Sequence, residues 1–262
     1  MNLPVEVLDA ARAGRCVVFV GSRASFEAAE LQGVDYPDAR TLARDLGWKK
    51  PKPVPGQRPK PVIPSVEEGA AAFEAANGRA ALVSTLRTRV GGATLTPTSA
   101  HAALVRRFPL LFTTSADDLL ERAAAAAGVP LLVRGRGDSL PEDASQRALF
   151  KLRGSFDQPD SLVVTGADFS SKPLGADLKR QLRLLVRQKV VLFVGYRPDE
   201  EEFERLFGEL SDAYGGELPR CHLAAAQGPI DDYLWQKWVW RGLLLFTADP
   251  VECLTELEAR LA

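Results

Sequence analysis

The sequence predicts an α/β protein: a doubly wound, mostly parallel sheet with helices on both faces and a small helical insertion. Two observations carry that prediction. Short runs that are apolar throughout, rather than alternating, recur along the chain, and segments of helical spacing lie between many of them. A parallel sheet covered on both faces needs strands of that kind, and the intervening helices supply its crossovers.

The elements follow in order. Leu3–Ala13 has helical spacing, and Arg15–Val20 is a β-branched run that stops at Gly21. Similar strand-like runs are Leu110–Thr113, Pro130–Val133, Ala148–Leu152, Ser161–Thr165, Val190–Val194 and Gly242–Phe246, with Cys221–Ala225 also strand-like. Helices are expected over the alanine-rich Val66–Arg89, from Asp117 through the Ala123–Ala127 tract, and over Glu201–Phe207. The whole chain, residues 1–262, reads as one domain with no internal repeat. Within it, residues 49–64 form a Pro/Lys-rich loop and residues 65–100 a helical insertion. That loop carries five basic residues and no acid, which suits either a solvated surface loop or a basic lid.

Composition narrows the partners. With 33 Lys+Arg against 34 Asp+Glu the net charge is −1, so no overall field draws the chain to nucleic acid or an anionic membrane. No apolar run approaches the ~20 residues that span a bilayer, and the N-terminal residues lack the pattern of a signal peptide. A cytoplasmic protein is expected, with no nucleic acid and no membrane as partner. Cys16, Cys221 and Cys253 are scattered through apolar segments without a C-x-x-C pair, which reads as core packing and leaves no zinc module or other metal site. His222, within a strand-like run, also reads as a packing residue.

In doubly wound sheets ligands bind beyond the carboxyl ends of the strands, so the residues just after each strand matter most. Four such segments stand out. Gly21-Ser22-Arg23-Ala24-Ser25 ends a strand ahead of a helix and offers backbone N–H groups to a phosphate, although Arg23 and Phe26 depart from a full G-x-G-x-x-G pattern. Thr113-Thr114-Ser115-Ala116-Asp117-Asp118 brings hydroxyls and carboxylates to a second strand end, with Asp117 or Ser115 suited to cap the next helix. Lys151-Leu152-Arg153-Gly154-Ser155 is the third, and Gly195-Tyr196, ahead of an acidic helix, is the fourth.

In this order and spacing the four segments resemble the SIR2-like family, including NAD-consuming domains of bacterial conflict and antiphage systems. Gly21 and Ser25 match its first motif, and Thr113, Thr114 and Asp117 match the second. Lys151, Leu152, Gly154 and Ser155 match the third, and Gly195 and Tyr196 the fourth. His101 matches a histidine often seen before the second motif. The departures fall at chemically important positions. Arg153 stands where the family has its catalytic histidine, Ser115 where it has an asparagine, and Arg23 where it has a glycine. A guanidinium stays charged and cannot act as a base.

The resemblance therefore implies a pseudoenzyme, with no catalytic residue assigned. It would bind NAD or an ADP-ribose-like nucleotide, or act as a scaffold, in a bacterial defence or signalling system. The residues expected at the nucleotide are Gly21, Ser22, Arg23, Ser25, Thr114, Ser115, Asp117, Arg153, Gly195 and Tyr196. Opposed to this stands a closed structural domain in which Arg23 and Arg153 pair with Asp117, Asp118 or Asp199. Two further alternatives remain. One is an active NAD hydrolase using His101, Asp117 or Asp118 as its base. The other is a protein-interaction domain or homo-oligomer, suggested by Trp235, Trp238 and Trp240, for which a wholly buried tryptophan cluster is the plainer reading.

Overall fold

The computed structural model describes residues 3–52, 63–143, 145–216, 218, 221–225 and 230–261. The chain runs α1 (Val5–Arg12), β1 (Cys16–Val20), α2 (Arg23–Gln32), α3 (Ala39–Asp45), α4 (Val66–Asn77), α5 (Arg79–Val90), α6 (Ser99–Arg107) and β2 (Leu110–Thr113). It continues through α7 (Leu119–Ala126), β3 (Leu132–Gly135), β4 (Ala148–Lys151), a 3₁₀ turn (Pro159–Ser161), α8 (Gly166–Ser171), α9 (Ala176–Gln188) and β5 (Val190–Tyr196). The last elements are α10 (Glu201–Tyr214), β6 (Cys221–Ala225), α11 (Asp232–Trp240), β7 (Leu243–Thr247) and α12 (Pro250–Leu261).

Every strand pair is parallel, and the order across the sheet is β3-β4-β2-β1-β5-β6-β7. From β1 the chain first builds outward on one side and later returns to place β5 on the other side of β1. The crevice at the carboxyl ends of β1 and β5 is thus the topological switch point.

Alternate residues of each strand enter opposite layers. Val18, Val20, Leu192 and Val194 pack in one core with buried residues of α1, α6, α7 and α12. Val17, Phe19, Val191 and Phe193 pack in the other with α9, α10 and Trp238 of α11. Phe19 lies in register with Phe112 and Phe193, and Phe112 with Phe150, so one row of phenylalanines crosses four strands. Their ring centroids stand 4.6 to 5.2 Å apart. Each such contact adds roughly 0.5–1.5 kcal/mol beyond simple burial.

Helices α4 and α5, in the stretch expected as the insertion, share an apolar cluster with α3, Phe156 and Leu162. Their ends are specified locally. Asp38 accepts from Thr41 N at 2.7 Å to cap α3, and Ser65 accepts from Glu68 N at 3.1 Å to cap α4. Arg79 then ties α5 to Leu162 O and to Asp168 Oδ2, both at 2.9 Å, and Arg87 donates to the carbonyl of Phe156. The insertion is therefore fastened over the segment that follows β4.

Three expectations are corrected. The run Ser161–Thr165 is not a strand; Leu162 and Val163 are buried against the insertion and the segment after β4, and Thr165 caps α8. The strand expected at Pro130–Val133 lies at Leu132–Gly135, its pairing opening with Leu132 N donating to Arg147 O at 2.9 Å; Pro130 has no N–H to give. Helix α7 begins at Leu119 rather than Asp117, because the Asp117 carboxylate turns back to accept from Leu119 N at 3.1 Å. Of the Pro/Lys-rich loop, residues 53–62 lie outside the described residues. No helix among the described residues is long and apolar enough to cross a membrane.

Candidate functional site

The residues following β1, β2, β4 and β5 converge on one cavity of about 160 Å³. Ser22 and Arg23 come from the turn into α2, Thr114 and Ser115 from the end of β2, Arg153 from beyond β4, and Glu200 and Glu202 from the start of α10. The far side is closed by Tyr36, by Leu42 of α3 and by Leu86 and Val90 of α5. The site thus has a polar floor at the sheet edge and an apolar roof.

The floor exists because two glycines let backbones touch. A Cβ on Gly21 would fall onto the carbonyl oxygen of Gly195, and one on Gly195 would stand 2.9 Å from Gly21 O. Gly195 also has φ +76°, which favours glycine, and sits at a β-bulge between Val194 and Tyr196. Directly beneath, Tyr196 is fully buried and its hydroxyl accepts from Thr114 Oγ1 at 3.1 Å.

Asp117 organises the second motif without lining the cavity. Its Oδ2 accepts from Ser25 and from Ser115, each at 2.6 Å. Lys151 is buried, donates to the carbonyl of Asp117 and pairs with Glu121 at 2.6 Å. Burial raises the Glu121 carboxyl, with Lys151 working the other way. Ser115, expected at the ligand, both lines the cavity and holds Asp117.

The two arginines are not absorbed by acids. Asp118 is bonded to Arg122 at 2.9 Å, and Asp199 to Arg197 and Arg40 at 2.8 and 2.9 Å. Among the described residues neither Arg23 nor Arg153 forms an ion pair, so the expected pairing with Asp117, Asp118 or Asp199 is corrected. Arg153 instead lies over the Phe169 ring at 4.6 Å, a ring also contacted by Arg205 and Arg136 at 4.2 and 5.5 Å. Burial lowers the affinity of its guanidinium for the proton, while Glu202 and Glu209 counteract that. Arg23 lies over Phe26 at 5.0 Å.

Of the expected ligand residues, Ser22, Arg23, Thr114, Ser115 and Arg153 line the cavity. Gly21, Ser25, Asp117, Gly195 and Tyr196 stand behind it and shape the floor. Glu200 and Glu202 are the additions that residue reading missed, although the acidic start of the helix after Gly195-Tyr196 was visible. Burial, with the charge of Glu202 second, raises the Glu200 carboxyl to about 7. Glu202 Oε2 accepts from Ser22 Oγ at 3.1 Å.

His101 does not line the cavity. It is buried, its Nδ1 accepts from Thr98 N at 3.3 Å to cap α6, and burial lowers its pKa. His222 packs as expected, with Nε2 3.2 Å from Glu6. Among the described residues no group of His, Cys, Asp and Glu is arranged to hold a metal.

A family model described as a SIR2-like domain matches residues 109–241, just over half of the chain. The chain belongs to the SIR2-like domain family. No curated protein matches it. Among solved structures, a Sir2 homologue in complex with NAD is similar at 16% identity and TM-score 0.52, covering 99% of this chain and 94% of that one. A variant Sir2 homologue with 2'-O-acetyl ADP ribose gives 15% identity and 0.52, and another variant with ADP ribose gives 14% and 0.53. Each of these last two alignments covers 99% of this chain and 96% of the other. At such identities the likeness concerns the fold. The SIR2-like match itself begins at Pro109, so it does not include the turn after β1.

Proposed function

We propose that this SIR2-like domain binds an NAD- or ADP-ribose-like nucleotide at the switch-point cavity and does not cleave it. One observation carries the reading: Arg153, at the family's histidine position, lines the cavity and rests on Phe169 at 4.6 Å. It supplies a fixed cation in place of a proton carrier.

The residues present fit part of such a ligand. Of the first N–H groups of α2, those of Ala24, Ser25 and Phe26 donate back to Gly21 O and Ser22 O, so the Ser22 hydroxyl and the Arg23 guanidinium are what this turn offers a phosphate. Phe26, Tyr36 and Phe156 offer aromatic walls to a ring. The cavity of about 160 Å³ is smaller than the roughly 300–1,000 Å³ of most ligand clefts, so a whole dinucleotide requires the insertion to yield. Isothermal calorimetry with ADP-ribose tests the reading. Binding by the wild type that Arg23→Ala and Arg153→Ala each weaken supports it, and no binding counts against it.

A cytoplasmic setting agrees with Cys16 and Cys253 being buried thiols. A place in a bacterial defence or signalling system rests on family likeness alone.

Two other readings each have one observation behind them. Glu200, raised to about 7 inside the cavity, would serve an active hydrolase as a non-standard base. The bases expected from sequence are committed elsewhere: His101 to its cap, Asp117 to two serines and Asp118 to Arg122. Trp240, 77% exposed on α11, would suit a protein contact, and it corrects the wholly buried tryptophan cluster, since only Trp238 is fully buried. Sedimentation of the wild type against Trp240→Ser tests self-association through that face.

A further inference from the structure

The turn after β1 already holds an anion. Ser22, the residue preceding the first turn of α2, donates its hydroxyl to Glu202 Oε2 at 3.1 Å. That carboxylate comes from α10, on the opposite side of the switch point, and lines the same cavity as Arg23 and Arg153. Among the described residues Glu202 forms no ion pair; it accepts from the Ser22 hydroxyl, and its charge also acts on Arg153. A phosphate seated at this turn would meet the same hydroxyl and the guanidiniums of Arg23 and Arg153.

Resting on the nucleotide-site reading above, we propose that Glu202 is a specificity-determining residue. Its carboxylate competes with a ligand phosphate for the Ser22 turn and thereby sets the charge of the ligand the cavity accepts. The two groups cannot share the place, because like charges a few ångströms apart in a partly buried site repel strongly. A phosphorylated ligand must therefore push the Glu202 side chain aside, whereas an uncharged nucleoside has no such conflict, its hydroxyls being donors that a carboxylate accepts.

A second carboxylate reinforces the effect. Glu200 lies in the same cavity, its carboxyl raised first by burial and then by the charge of Glu202, while Arg23 works the other way, so the two carboxylates already act on each other there.

The test is calorimetric titration of wild type, Glu202→Gln and Glu202→Ala with ADP-ribose and, separately, with adenosine, after circular dichroism has confirmed that each variant is folded. Glutamine keeps the size of the side chain and removes only the charge. The expected result is ADP-ribose affinity raised about tenfold to a hundredfold in Glu202→Gln, with adenosine affinity changed by less than about twofold. Equal ADP-ribose affinity in all three proteins overturns it and leaves the nucleotide site standing. Weaker binding of both ligands by the variants overturns it too, by making Glu202 a direct ligand contact. Failure of every protein to bind either molecule overturns this proposal together with the site reading.

Discussion

Gly21 and Gly195 meet backbone to backbone at the floor of the cavity: the Gly195 carbonyl occupies the space where a Cβ on Gly21 would lie, and Tyr196 Cδ1 would stand 2.7 Å from it. Neither obstacle is the free end of a flexible chain. Gly21→Ala should therefore destabilise the fold by about 3 kcal/mol, read as a lower urea midpoint at unchanged slope. A midpoint matching the wild type would show that β1 and β5 do not approach as described.

Lys151 is the buried cation that holds the second motif, pairing with Glu121 at 2.6 Å and donating to the carbonyl of Asp117. Lys151→Met removes one partner of that pair and leaves Glu121 with a costly charge. The expected loss is about 3 kcal/mol, measured by urea denaturation at pH 7, and it should shrink in the double variant Lys151→Met with Glu121→Gln.

The stability contributed by Glu27 should fall as pH rises from about 4.5 to about 8. Burial, then the charge of Asp249, raises the carboxyl of Glu27 from its ordinary value of 4.5 to about 8. The folded protein therefore keeps a proton that the unfolded chain has lost between those values. The contribution of this group is fully present below about pH 4.5 and is lost by the time the pH passes about 8. Glu27→Gln cannot ionise, so its melting temperature should fall less than that of the wild type between pH 5 and 8.5. Parallel curves for the two proteins would refute the assignment.

Tryptophan exposure should separate sharply within one helix. Trp238 is fully buried, its Nε1 donating to Pro198 O at 2.9 Å, whereas Trp240 is 77% exposed. In single-tryptophan variants, acrylamide should quench Trp240 strongly and Trp238 weakly. Equal quenching would show that α11 does not pack as described, and protection of both would indicate that a second surface covers Trp240.

Much of this was legible because each strand of the central sheet carries its own signature. Phe19, Phe112, Phe150 and Phe193 occupy equivalent places ahead of the strand ends, and the turns that follow brought the four motifs into one cavity. Ser161–Thr165 was misread because its composition suits a strand, yet its neighbours place it under the insertion, a tertiary fact that periodicity does not carry. The glutamates of the cavity were visible only as an acidic helix start. Their role depends on how β1 and β5 lie side by side, so Glu202 meets Ser22 across 180 positions of sequence.

The central claim is that the altered site holds a nucleotide without cleaving it, and nicotinamide release from NAD tests it most directly. The purified protein is incubated with excess NAD and the products are separated by chromatography. No release above a protein-free control is predicted. Release that Arg153→Ala abolishes would contradict the account by making the cavity an active site, and release that Glu200→Gln abolishes would in addition point to Glu200 as its base.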